Sequence, residues 1–175
     1  MESTLVILVP EAEGLVQSFR NRYDPAAKAG MPAHITLLYP FKSREEIDGL
    51  VLDTLSHCFS HFQQFKFSLA KIDQFPGETL YLVPEPEDPF RELTLGIWGH
   101  YQETPPYRGR YSTVIPHLGV ATLIGDQELA EVACEFEQVA QGRLPIQGRA
   151  TEVTLMDSRS GRWVINNTFR LGQGS

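Results

Sequence analysis

Two histidines stand in matching surroundings, Ala33-His34-Ile35-Thr36-Leu37-Leu38-Tyr39 and Pro116-His117-Leu118-Gly119-Val120-Ala121-Thr122. Both segments alternate and are rich in Ile, Leu and Val, the pattern of a strand. Residues two apart on a strand face the same way, so His34 and Thr36 share one face while Ile35 and Leu37 take the other. An imidazole moves protons near neutral pH, and a neighbouring hydroxyl donates to an anionic oxygen. If the two strands lie side by side, one cleft holds both imidazoles, one for base and one for acid.

The second segment departs from the first at one position. Gly119 stands where the first has Thr36, so it offers an anion backbone only. Thr122 lies an odd number of residues from His117 and is expected to face the other way unless a bulge intervenes. The loop running from Thr104 to Thr113 leads straight into the second strand and is the most basic and aromatic stretch. Arg108 and Arg110 are candidate phosphate clamps there, and Tyr107 and Tyr111 are candidates for stacking on a base.

Other chemistries find less support. His57 and His61 are four apart on a helix, a metal-ligand spacing, but lack the glutamate of a zinc protease motif and read as a solvated helix face. His100 lies near a helix C-terminus, where a cation is mildly favoured. There is no glycine-rich phosphate loop, no Gly-x-Ser-x-Gly and no Cys-x-x-Cys. The expectation is therefore no metal and no cofactor.

The elements that must position the histidines follow from periodicity. Strands are expected at 4–9, 33–39, 65–73, 79–84, 114–123, 146–156 and 162–171. Helices are expected at 11–22, from the Ser43/Glu46 capping box onward, from Asp88-Pro89 onward, and around 129–140. The stripe of the second helix is Ile47, Leu50, Val51, Leu55, Cys58, Phe59 and Phe62. Each half of the chain runs histidine strand, helix, two strands, with repeat units of about 33–84 and 116–171. The fold class is α+β: two pseudosymmetric lobes of mainly antiparallel sheet, helices on the outer faces and a central cleft.

Length and charge bound the reading. At 175 residues the chain forms one domain with a sizeable core. A net charge of −7 makes it a poor candidate for gripping long duplex nucleic acid, though a small nucleotide or an RNA end suits a local site. Cys58 and Cys134 fall at apolar helix positions and read as core thiols of a reducing compartment. The run Leu5–Val9 is too short for a signal-peptide core, and no stretch approaches a membrane span. A cytoplasmic, monomeric protein with no membrane partner is expected.

The paired His-x-Thr-like motifs resemble those of the two-histidine phosphoesterase superfamily, which includes the 2'-5' RNA ligase-like proteins and cyclic nucleotide phosphodiesterases. His34-Ile35-Thr36-Leu37 followed by Tyr39-Pro40-Phe41 is a full match. The closing pattern, Gly161-Arg162-Trp163 through Phe169-Arg170-Leu171-Gly172, is similar to the family's last hairpin. The resemblance implies a metal-independent phosphodiesterase, often acting on 2',3'-cyclic phosphates and placed in RNA processing. It implies catalytic roles for His34 and His117 and a phosphate contact for Thr36. Gly119 departs from the family pattern, and the alternative it feeds is a non-catalytic nucleotide- or RNA-end-binding module.

Overall fold

The computed structural model describes residues 2–122 and 126–172. Residue 123, the end of the strand expected at 114–123, lies outside them. In chain order the elements are β1 (Ser3–Leu8), α1 (Glu13–Tyr23), α2 (Pro25–Lys28), β2 (His34–Leu38), α3 (Gly49–Ser60), β3 (Phe65–Phe75) and β4 (Thr79–Glu85). There follow α4 (Asp88–His100), β5 (Leu118–Thr122), α5 (Asp126–Ala140), β6 (Ile146–Ala150), β7 (Glu152–Arg159) and β8 (Arg162–Arg170). The strands form one curled sheet in the order β6-β3-β4-β5-β2-β1-β7-β8, and every named strand pair is antiparallel.

The fold is α+β, and its sheet has two halves, β6-β3-β4-β5 and β2-β1-β7-β8, which meet where β5 pairs with β2. The halves are not contiguous in sequence. The hairpin β3–β4 follows β2 in the chain but joins β5, and the hairpin β7–β8 follows β5 but joins β1 through β7. The stretch 146–156, which reads as one strand, divides at Thr151 because its two parts go to opposite sides. Gln147 pairs with Ser68 of β3, and Leu155 with Leu5 of β1.

The helices cover one face of the sheet: α1 lies against β5, α4 against β2, α3 against β8 and α5 against β4. Leu5, Ile7, Ile35, Leu37, Leu69, Leu82, Leu118, Val120 and Leu155 meet Val16, Phe19, Leu55, Phe59, Leu93, Ile97 and Phe136 in one core. The buried Thr94 hydroxyl of α4 donates to the Leu37 carbonyl at 2.7 Å, tying that helix to β2.

Two expectations are corrected here. The Ser43/Glu46 box is formed, with the Glu46 carboxylate accepting from the Ser43 N–H at 2.9 Å, but it closes only a 3-10 turn over Arg44–Glu46. The helix α3 starts later, where the Asp48 side chain accepts from the Val51 N–H at 2.9 Å. Leu50 therefore sits in its first turn, 74% exposed, rather than in the stripe. Cys58 is buried as expected, whereas Cys134 is exposed on α5. No helix of the described residues is long and apolar enough to cross a membrane.

Candidate active site

The register of the two central strands sets the site. Ile35 of β2 pairs with Leu118 of β5, both pointing into the core. One residue either way along an antiparallel pair brings His34 opposite Gly119 and Thr36 opposite His117 on the other face. The two histidines are then diagonal neighbours across the β2–β5 seam.

Each imidazole is held in the same manner. The Nδ1 of His34 lies 2.8 Å from the Pro32 carbonyl, and the Nδ1 of His117 lies 2.8 Å from the Ile115 carbonyl. A carbonyl oxygen only accepts, so Nδ1 carries the proton in both rings and Nε2 is left for chemistry. Burial pushes the His34 pKa down from 6.5 to about 4, against the Pro32 bond that supports the cation; Arg20 and His117 lower it further. His117 is lowered as well, by burial against its Ile115 bond. Its ring lies 5.1 Å from that of Phe75 and 5.3 Å from that of Tyr81, centroid to centroid.

Two cavities open over these rings. One, of about 480 Å³, is lined by His117 with Phe75, Pro76, Thr79, Tyr111 and Ile115. The other, of about 450 Å³, is lined by His34 and Thr36 with Pro25, Met31, Tyr39, Thr122 and Trp163. Tyr107 lines both.

The sequence model of the 2'-5' RNA ligase superfamily matches residues 8–162. The chain belongs to that superfamily. A Bacillus cereus (strain B4264) protein named "Putative phosphoesterase" is 29% identical over 168 residues, covering 89% of this chain and 88% of that one. A Bacillus thuringiensis (strain Al Hakam) protein of the same name is 28% identical over 168 residues, with the same coverage. The fold is shared with TT0787 of Thermus thermophilus, at TM-score 0.63 and 14% identity over 100% of both chains. It is shared too with E. coli LigT, at TM-score 0.60 and 18% identity over 98% of both.

Within this superfamily fold, the second motif has local features of its own. A Cβ at Gly119 would meet nothing within 4 Å, so the missing side chain leaves open space. A bulge intervenes just after it: Tyr81 pairs with Gly119 but Leu80 pairs with Ala121, so Val120 is the extra residue. Val120 and Ala121 are both buried, and Thr122 comes round to the cleft beside His34. Simple alternation would have turned it away.

The loop residues divide. Tyr107 and Tyr111 reach the cleft, with ring centroids 5.7 Å apart. Arg108 pairs with Glu2, and Arg110 lies 3.5 Å from Glu78. Both arginine side chains are about 70% exposed, and neither lines a cavity. Among the described residues lining the two cavities there is no lysine or arginine. His57 and His61 pack edge to face on an exposed turn of α3, and among the described residues no three His, Cys, Asp or Glu side chains gather into a metal-binding group.

Proposed function

We propose that the protein is a metal-independent phosphodiesterase acting on a small nucleotide or RNA terminus, including the 2',3'-cyclic type, in the cytoplasm. The observation that carries the reading is the matched pair of imidazoles on the two central strands' seam, each with Nδ1 bound to a carbonyl and each lining a cavity that Tyr107 shares. His34, whose pKa is lowered to about 4, is the base and takes a proton from water. The water oxygen attacks phosphorus, the bond from phosphorus to the leaving ester oxygen breaks, and His117 donates its Nε2 proton to that oxygen. The products are a phosphomonoester and an alcohol, which stay joined when the substrate is a cyclic phosphate. Thr36 donates to a non-bridging oxygen. The anionic substrate favours the charged form of His117 and so restores the acid, while His34, held down at about 4, stays neutral as the base. The cavities beside the two rings carry aromatic side chains, Phe75 and Tyr111 in one and Tyr39 and Trp163 in the other, among hydroxyls and the carboxylates of Glu78 and Asp24, a lining suited to a base or ribose. LigT, which shares the fold, has been crystallised with 3'-AMP, with phosphate and with ATP.

The second reading, a binding module without activity, is favoured by Gly119 alone. One experiment separates the two. Hydrolysis of 2',3'-cyclic nucleotides and 2'-5'-linked dinucleotides is measured in EDTA for wild type, His34→Ala and His117→Ala. The expected result is activity that survives the chelator and falls by about 10²–10⁴-fold in each variant, with melting temperature little changed. Loss of activity in EDTA and its return with zinc or manganese contradicts the proposal. Nucleotide binding without turnover by wild type supports the second reading.

A further inference from the structure

The second motif lacks its hydroxyl, and the cavities lack a lysine or arginine to replace it. The structure offers another neutral donor beside the same two rings. Tyr107 is the residue that lines both the His34 and the His117 cavities, and its phenol stands beside the Thr36 hydroxyl. Its backbone is held in the left-handed region, φ 51° and ψ 36°, and Arg108 follows at φ 55° and ψ 30°. Neither is glycine, so this conformation is strained and persists only because the surroundings impose it.

Those surroundings are visible. The Tyr107 N–H donates to the Tyr39 carbonyl at 2.6 Å. Arg108 is tied to Glu2 at the start of β1, and Arg110 lies near Glu78 at the β3–β4 turn. The loop is thus strapped to both halves of the sheet, with Tyr107 at its middle over the cleft. The same tether gives the two arginines a use that is not phosphate binding. Burial pushes the Tyr107 pKa up to about 12, so the phenol stays protonated and neutral next to an anion.

We propose that Tyr107 is a catalytic residue of this site, its hydroxyl donating to a non-bridging phosphate oxygen in place of the side chain missing at Gly119. The proposal rests on the phosphodiesterase reading. It explains why a large side chain is held at strained backbone angles where it lines both histidine cavities.

The test is a double-mutant cycle with Tyr107→Phe and Gly119→Thr on a 2',3'-cyclic nucleotide. Tyr107→Phe keeps the ring and the packing, so melting temperature should hold. Its kcat/KM should fall by about 10- to 150-fold, the worth of one hydrogen bond to a charged group, with the pH profile keeping its shape. Gly119→Thr should raise wild-type activity by less than about threefold, yet restore tenfold or more to Tyr107→Phe. Full activity in Tyr107→Phe, or equal gains from Gly119→Thr in both backgrounds, overturns the role of Tyr107 while leaving the histidine mechanism standing. If wild type cleaves no diester, the mechanism fails, and calorimetry with inorganic phosphate decides for Tyr107. Tenfold weaker binding by Tyr107→Phe supports the phosphate contact; equal binding overturns it.

Discussion

Burial moves His34 far from its ordinary pKa, and the sign of the shift has a consequence for stability. Its pKa is about 4 in the folded protein against 6.5 ordinarily, with burial as the main cause. Between those values the unfolded chain binds more protons than the folded one. Stability therefore falls as pH is lowered from about 6.5 to about 4, and levels off below. His117 is shifted in the same direction and adds to the slope. The substitution His34→Gln removes the proton site, so the fall in melting temperature over this window should be visibly shallower than in wild type. Parallel curves would show that the ring is not desolvated in solution. The pairing of His34 with Thr36 and the like placing of His117 were legible from alternation alone. The roles of the two rings were not, because they depend on what buries each one: Phe75 and Tyr81 are near His117 only through the sheet.

At the scale of elements, local signals were read well where local chemistry decides. The helix α4 opening at Asp88 and the stripe Val51, Leu55, Cys58 and Phe59 formed as expected. The misses have non-local causes. The break at Thr151 follows from the separate partners of β6 and β7, and the extra residue Val120 from pairing with β4. Neither leaves a mark in periodicity. The junction after β8 shows how tightly such long-range joins are packed. The Gly172 N–H donates to the Phe62 carbonyl at 2.8 Å, and its own carbonyl accepts from the Gln64 N–H at 3.1 Å. A Cβ there would overlap the Ser60 carbonyl, which is backbone and does not yield. Gly172→Ala should cost about 1–3 kcal/mol, or roughly 2–10 °C in Tm. Gly49→Ala is the control: a Cβ at the first residue of α3 meets nothing within 4 Å, and alanine is a better helix former, so Tm should hold or rise. Equal losses in both would mean the β8 junction is looser than described.

For the whole molecule, the exchange of hairpins between halves explains why the sequence repeat does not coincide with the two sides of the sheet. Each half contributes one central strand to the seam: β2 opens on His34, and His117 immediately precedes β5. The helices close the opposite face, which leaves the histidine face to a substrate, with the Tyr107 loop lying over it. An acidic chain whose cavities hold no lysine or arginine among the described residues depends on neutral donors and on protonating its own imidazoles to hold an anion. The claim at the centre of this account is that both rings meet one phosphate. Histidine Cε1–H resonances followed by NMR across pH, with and without inorganic phosphate, measure it directly. Saturating phosphate should raise the pKa of His34 and of His117 together, with one dissociation constant for both and no change at His57 or His61. A shift at only one of the two, or shifts with different dissociation constants, would contradict a shared site.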